Sequence, residues 1–355
     1  MTAAAGMIGF MKTKNFFILI LSLLTLSATI WLAVNPTPHI RTIVTETHKQ
    51  ISNLKNVQIV REKTLVLDEK YLDLLGFNYS TNNYPAGGVG KEHVLPYLVT
   101  AVSSKNTEQV QLLLESKKKF LKKLLKTVVF DLGLGSYDLN KLKLACNFTS
   151  SCEIRKFKFD DFPSHVTDLD IKAYKPVCIQ IILKQHQAVF WSDANRYFVA
   201  STIDGAIKHA QKTGFSAWTL DSKDSTSTLT HPKMFGFFNT KPEDYHFHRM
   251  VEANNLILYN TQVIQDQLML PWVQCALVKD CVAPYGAQAT GCSFIYKPRY
   301  KYSGCHRYEM SGLNIILGQV FKQNESQYTV DDVMFGTRER YFNLTRTIIK
   351  SVSKS

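Results

Sequence analysis

The stretch QAVFWSDANRYF, residues Gln187–Phe198, decides how the chain is expected to fold. An apolar run from Ala188 to Trp191 is followed closely by Asp193 and Asn195. Residues two apart on a strand share one face, so both polar side chains are expected to project together from the end of a buried strand. Because open α/β folds hold their ligands at such strand ends, the stretch predicts a ligand site at this pair.

Strands and helices alternate in the sequence before this stretch. In chain order we expect a strand at 93–104, a helix at 106–126, a strand at 127–135, a helix at 136–144, a strand at 152–159, a helix at 173–185 and a strand at 188–193. This alternation implies βαβ units and an α/β fold with a mostly parallel sheet flanked by helices. The right-handed crossover rule then places the strand ends with Ser103, Ser104, Asp131 and Asp193 along one edge.

The C-terminal half predicts an acceptor-side region. HPKMFGFF (231–238) and EANNLILYNT (252–261) have the pattern of strands. A helix with a disulfide-tied loop is expected at 271–286, and a loop that enters a helix at 305–317.

Residues 16–34 carry no charge, and as a helix they would extend roughly 28 Å, close to a hydrocarbon core. Lys12 and Lys14 precede this run, so the positive-inside rule favours a single-pass signal anchor with residues 1–15 in the cytosol. A cleaved signal peptide is the alternative. We therefore expect a stem at 35–92 with a short helix in 64–75, a main domain at 93–320 and a C-terminal extension at 321–355, in the lumen of the Golgi or endoplasmic reticulum.

Cysteines and glycosylation sequons agree with a lumenal location. The sequons start at Asn78, Asn147, Asn324 and Asn343. Seven cysteines leave one unpaired, and Cys178 in the apolar run VCIQIIL is the candidate for a free buried thiol. The remaining six allow 15 connectivities, of which the simplest pairs neighbours: 146 with 152, 275 with 281, and 292 with 305.

The formal net charge of +13 indicates an anionic partner such as a lipid head group, an acidic glycan or a phosphorylated small molecule. The targeting signals make nucleic acid the least expected of the anionic partners, so we expect no nucleic acid to bind. The lysine run of residues 117–126 alternates with leucines, and its lysines are expected to form a solvated helix face.

Three segments in order carry a resemblance to a known family. They are VVFDLGL (128–134), VFWSDAN (189–195) and CHRYEMSGLN (305–314). On these motifs the chain resembles a nematode-rich metazoan family described as a domain of unknown function. That family in turn resembles nucleotide-sugar enzymes with the glycosyltransferase-A fold, so the resemblance implies a nucleotide sugar donor and a glycan or glycoprotein acceptor.

The resemblance also implies a site built around Asp193. In such enzymes a D-x-D pair holds Mg²⁺ or Mn²⁺ against the diphosphate, and here Asp193 and Asn195 fill that position. Because Asn195 is a neutral and weaker ligand, the metal is held through Asp193 alone, or the reaction is metal-independent with Lys175 and Arg196 as neutralising groups. A plain strand-end turn at this place stays an alternative.

The other site residues follow from the same resemblance. Ser103 and Asp131 are expected to contact the nucleotide, or else to cap a helix and close a turn. Glu309 takes the position of a sugar-contacting acid, with Met310 in place of an amide, and is expected to be catalytic with Asp193 and Lys175. His306 and Arg307 are expected to act as a metal ligand and a phosphate clamp.

Two functions compete on these residues. One is a membrane-anchored glycosyltransferase of the secretory pathway. The other is a lumenal binding or scaffold protein on the same fold with a decayed site, which the amide at Asn195 and the thioether at Met310 favour. Familiar hydrolase signatures are absent from the sequence.

Overall fold

The structure is a computed structural model that describes residues 13–34, 65–77, 94–121, 125–147, 152–220, 222–295, 299–331 and 334–352. The chain divides into two units, Met1–Arg61 and Glu62–Ser355. Most of the expected cytosolic tail, most of the expected stem and the sequon at Asn78 lie outside the described residues.

The described part of the first unit is helix α1, Thr13–Val34, on which the expected membrane span falls. Within the described residues no helix combines the length and the apolar character needed to cross a membrane.

The second unit is an α/β fold. Its described helices are α2 Glu69–Leu75, α3 Thr107–Phe120, α4 Ser136–Asn147, α5 Tyr174–Gln185, α6 Asp204–Thr213, α7 Pro232–Phe235, α8 Leu270–Leu277, α9 Lys279–Val282, α10 Glu309–Val320 and α11 Arg338–Val352. Its described strands are β1 Tyr97–Val102, β2 Thr127–Asp131, β3 Cys152–Lys156, β4 Ala188–Ser192, β5 Tyr197–Phe198, β6 Phe215–Thr219, β7 Val251–Tyr259, β8 Thr329–Val330 and β9 Phe335–Gly336.

One seven-stranded sheet has the order β3-β2-β1-β4-β7-β6-β8, and β5 pairs with β9 in a second, small sheet. Strands β1 to β4 are parallel where they pair, whereas β7 runs antiparallel to both β4 and β6. Because β6 and β8 again point the same way as β4, the sheet is mostly parallel, as the alternation of strands and helices predicts. The strand expected at 188–193 is confirmed, one residue shorter.

Both faces of the sheet are covered by helices, which is why β4 is buried throughout. Val189 and Trp191 belong to the core on the side of α5 and α10, whereas Phe190 belongs to the opposite core, shared with α3 and α6. Successive side chains on a strand point to opposite faces, so the apolar run VFW supplies both cores. Helix α2 packs on the main unit as expected, with Leu75 fully buried.

Two local expectations are wrong. HPKMFGFF forms helix α7 and a 3₁₀ turn instead of a strand, because Pro232 occupies a first-turn position and the side chain of His231 accepts a hydrogen bond from the Lys233 amide. Lys117 does not lie on a solvated face. It is buried, and its Nζ donates to Thr127 Oγ1 at 2.7 Å, so burial lowers its pKa to about 8.

The expected disulfides are confirmed. Cys146–Cys152, Cys275–Cys281 and Cys292–Cys305 are bonded, with Cα atoms 5.2, 5.1 and 5.0 Å apart. Cys178 is the free cysteine, buried in α5, where burial raises its pKa well above the ordinary value.

Candidate functional site

The strand order creates a crevice between β1 and β4. From β1 the chain moves outward to β2 and β3 and then returns to the other side of β1 as β4. Ligands in open α/β sheets bind outside the carboxyl ends of the strands at such a reversal. Ser103 follows the end of β1 and Asp193 follows the end of β4, so both lie at this crevice.

Asp193 and Asn195 do not project from one face of a strand, because β4 ends at Ser192. Residues 193–196 form a turn in which the Arg196 amide donates to the Asp193 carbonyl at 3.1 Å. The Asp193 side chain is only 13% exposed, whereas Asn195 is exposed. The expectation of a shared strand face is therefore wrong, and asparagine takes a turn position that suits it.

Lys175 lies between two carboxylates. Its Nζ is 3.1 Å from Asp193 Oδ1 and 3.0 Å from Glu309 Oε1, and it donates to the Ala253 carbonyl at 3.0 Å. The lysine side chain is fully buried and Glu309 is 5% exposed. The start of α5, the end of β4 and the start of α10 thus bring the three residues expected to be catalytic into one ionic cluster, Asp193–Lys175–Glu309.

The same cluster explains why a lysine is tolerated in the first turn of α5. A lysine in the first turn of α5 meets the positive end of the helix dipole, so a nearby anion is needed. Asp193 and Glu309 supply that anion from within the protein, and a bound phosphate is not required to explain Lys175.

Lys172, which the sequence reasoning missed, pairs with the outer side of Asp193. Its Nζ is 3.1 Å from Asp193 Oδ2, and its side chain is 39% exposed. Its backbone has the left-handed φ of 53°, which is unusual for a lysine. No helical spacing in the sequence marks it, because Lys172 precedes α5 and has this left-handed backbone.

The partners of Asp193 keep it ionised. Burial raises the pKa of this carboxyl, but Lys175 and Lys172 lower it more, and Trp191 Nε1–H donates to Oδ1 at 2.7 Å, so the pKa falls to about 2. The Asp193 carboxylate in turn raises the pKa of Lys172. At neutral pH the crevice therefore holds a carboxylate beside the ammonium group of the partly exposed Lys172.

Ser103 and Asp131 lie at the expected edge and make local bonds there. The Ser103 amide donates to Asn106 Oδ1 at 2.7 Å, just before α3. Asp131 Oδ1 accepts from the amides of Gly133 and Leu134 at 2.9 and 2.7 Å. These are turn-closing bonds, and the nucleotide contacts expected of both residues stay predictions.

His306 and Arg307 are engaged elsewhere. His306 is fully buried, its Nδ1 accepts from the His231 amide at 3.1 Å, and its Nε2 lies 3.0 Å from the Val282 carbonyl, which can only accept. Burial lowers its pKa to about 3. Arg307 Nη1 donates to the Ala289 carbonyl at 3.3 Å.

These donors do not fit a divalent cation held by Asp193, Asn195 and His306. Both oxygens of Asp193 already accept from N–H groups, Asn195 is exposed to solvent, and both ring nitrogens of His306 have partners. In the described part of the chain no group of three or more histidine, cysteine, aspartate or glutamate side chains could hold a metal ion.

No family model matches the chain, and no curated protein matches it. The resemblance to a domain-of-unknown-function family stays a prediction. Solved structures similar to the chain include the bifunctional glycosyltransferase WbbM in its apo form, at 10% identity and a TM-score of 0.42, with 68% of this chain and 40% of that one covered.

Two further similar structures are mouse xyloside xylosyltransferase 1 in its apo form and an active-site mutant of LgtC. The first has 10% identity and a TM-score of 0.41 over 68% of this chain and 86% of that one. The second has 11% identity and a TM-score of 0.41 over 70% and 95%. The neighbours are glycosyltransferases, but similarity at this level identifies neither a family nor an activity.

Proposed function

We propose that the chain transfers a sugar from a nucleotide sugar to an acceptor without a metal ion. The observation that carries the proposal is the Asp193 carboxylate, held ionised at the β1/β4 crevice beside the ammonium group of Lys172, whose side chain is 39% exposed. Breaking the bond between the sugar carbon and the diphosphate leaves a positive ring and a negative diphosphate. The negative Asp193 carboxylate and the positive Lys172 ammonium group are complementary to the charges of the sugar ring and the diphosphate.

The proposal gives each residue a role. Asp193 faces the positive charge that develops on the sugar, and Lys172 binds the departing diphosphate. Lys175 and Glu309 are buried, so they act as positioning residues that fix the Asp193 carboxylate. The acceptor oxygen forms the new bond to the sugar carbon, the diphosphate leaves with the electron pair, and the released diphosphate takes up the acceptor's proton.

Thermal unfolding of the full chain with UDP and GDP sugars tests this proposal. A donor at a hundred times its dissociation constant stabilises the protein by about 2.7 kcal/mol. Lys172→Met should weaken donor binding at least tenfold, whereas Lys212→Met, which removes an exposed lysine on α6, should leave it unchanged. Chelators should have no effect. Failure of every nucleotide sugar to stabilise the protein, or strict dependence on Mn²⁺, would contradict the proposal.

The second candidate is a binding or scaffold protein with no transferase activity. It is favoured by the saturation of Asp193, whose oxygens accept from Trp191, Lys172 and Lys175. In that case Asp193→Asn destabilises the fold while no nucleotide sugar binds either protein. If the chain is a transferase, the wild-type protein binds a nucleotide sugar and Asp193→Asn weakens that binding.

A location in the lumen of the Golgi or endoplasmic reticulum belongs to the same proposal. The disulfide bonds support an oxidising compartment. Asn147, Asn324 and Asn343 are exposed and accessible to a glycan. Endoglycosidase treatment of the chain from a eukaryotic host should therefore lower its mass, and an unglycosylated chain with reduced thiols would contradict this location.

A further inference from the structure

An open cleft of about 350 Å³ lies beside the turn that carries Asp193. It lies among β6, β7, β9 and the first turn of α11, and the residues that matter here are Arg196, Trp218, Glu252, Asp331, Phe335 and Arg340. We define these six residues as the lateral cleft. Its volume falls at the lower end of the range of small-molecule sites.

Two aromatic rings form the apolar wall of the lateral cleft. The rings of Trp218 and Phe335 are 5.2 Å apart and nearly perpendicular, and both contact the buried ring of Phe190. Trp218 and Phe335 are themselves only half-buried, so part of each ring borders the cleft. Their packing fixes the rings, which gives a ligand a preformed apolar surface.

Charged groups of both signs complete the lateral cleft. Arg196 Nη2 donates to Glu252 Oε2 at 2.6 Å, and Asn254 Nδ2 donates to the same oxygen at 3.2 Å. Arg196 Nε is buried and has no hydrogen-bond partner among the described residues. Asp331 and Arg340 are exposed at the rim. With two cationic and two anionic side chains, the described part of the lining has no net charge.

The lateral cleft is adjacent to the candidate active site. Arg196 belongs to the turn that begins at Asp193, and Glu252 directly precedes Ala253, whose carbonyl accepts from Lys175 at 3.0 Å. A molecule in this cleft would therefore lie at the same edge of the sheet as Asp193 and Lys172, where a donor would be held.

From this combination we infer that the lateral cleft binds a neutral saccharide, the acceptor of the sugar. The assignment as acceptor rests on the proposed transferase function, whereas the ligand class follows from the lining. Hydroxyl groups both donate and accept hydrogen bonds, so they fit the Glu252 carboxylate and the partly exposed Arg196 guanidinium group together. The apolar face of a sugar ring fits Trp218. A phosphorylated or acidic ligand would meet the carboxylates of Glu252 and Asp331.

Saturation-transfer NMR on the full chain tests the ligand class. The probes are methyl glycosides of galactose, glucose, mannose and xylose, with glucuronic acid as the charged comparison. At least one neutral glycoside should bind, and Glu252→Gln and Arg340→Ala should each weaken its binding at least threefold. Arg346→Ala, which removes another exposed arginine from α11, is the matched control and should not change binding.

Each outcome decides the inference. Absence of binding by all neutral glycosides, preferential binding of glucuronic acid, or binding that Glu252→Gln and Arg340→Ala leave unchanged overturns it. The donor titration with Lys172→Met separates the two proposals. Glycoside binding without any nucleotide-sugar binding supports a saccharide cleft and rejects the transferase, and the reverse result rejects the cleft alone.

Discussion

Replacing Lys175 by methionine removes the positive charge from the Asp193–Lys175–Glu309 cluster. The lysine Nζ lies 3.1 Å from one carboxylate and 3.0 Å from the other, so the two carboxylate oxygens are at most about 6 Å apart. Two like charges at that distance repel by about 3 kcal/mol at an effective dielectric constant of about 20. Leaving a buried charge without its partner costs about 3–5 kcal/mol. We therefore expect Lys175→Met to lower the free energy of unfolding at pH 7 by about 3–5 kcal/mol.

The loss of stability in Lys175→Met should depend on pH. In the wild-type chain the pKa of Asp193 is lowered to about 2, so its contribution to stability is present above pH 4 and is lost as pH falls towards 2. In Lys175→Met the facing carboxylates share less positive charge, and the pKa of one of them rises above its unfolded value. That carboxyl group folds more favourably when protonated, so the stability gap between variant and wild type should widen as pH rises from 5 to 8.

Urea unfolding of the full chain, followed by tryptophan fluorescence, measures both effects. The double variant Lys175→Met/Glu309→Gln removes the repulsion and should recover part of the lost stability. Lys172→Met is the comparison at the outer side of Asp193, and because that side chain is 39% exposed it should cost less than about 1 kcal/mol. A loss below about 1 kcal/mol in Lys175→Met, or a gap that does not change with pH, would refute the coupling of these charges.

Three further substitutions or treatments test other parts of the fold. Gly318→Ala should lower the free energy of unfolding by about 1–3 kcal/mol, because a Cβ there would lie 2.6 Å from the Tyr245 ring. Gly312→Ala on the same helix should cost little, because its nearest neighbour would be 3.6 Å away, and equal losses in a denaturation series on both variants would contradict this reasoning. The pKa of His306 is lowered to about 3, so the unfolded chain binds more protons and stability should fall as pH decreases from about 6.5 towards 3. His306→Gln should make stability less dependent on pH in this range, and an unchanged pH dependence would contradict the assignment to His306. Ellman's reagent should detect no thiol in the native chain and one, Cys178, after denaturation; rapid labelling of the native chain would show that this thiol is accessible.

The central alternation of strands and helices could be predicted because its signals are local. Each of β1, β2 and β4 is a short apolar run, and α5 is an apolar helix between turns. Short spacing also made the disulfide pairs the simplest choice among many. The strands β8 and β9, two residues each, could not be predicted, because only pairing with β6 and β5 makes them strands.

The candidate site was predictable in part for the same reason. Asp193 and Lys175 were found from their places at a strand end and a helix start, and Glu309 from a resemblance. Lys172 was missed because its position depends on a left-handed residue before α5, which no periodicity announces. Asn195 was misplaced because the end of β4 at Ser192 is set by the turn to Arg196 and not by the apolar pattern.

The partners of Asp193 differ in how readily a ligand can replace them. Trp191 is locked in the sheet and Lys175 is fully buried, so displacing either one would disrupt the core. The Lys172 side chain is 39% exposed, so water and salt can compete for its bond to Oδ2. A bound diphosphate could take the Lys172 ammonium group and leave Asp193 Oδ2 with only its longer bond to Lys175, at 3.4 Å, which would couple binding of the leaving group to exposure of Asp193. Lys172→Arg should keep this exchange, because the positive charge remains. Lys172→Met should remove the partner of the diphosphate and leave Asp193 without Lys172. We therefore expect donor binding to be lost in Lys172→Met but kept in Lys172→Arg. Equal loss in both variants would mean that the geometry of the ammonium group, and not its charge, decides binding.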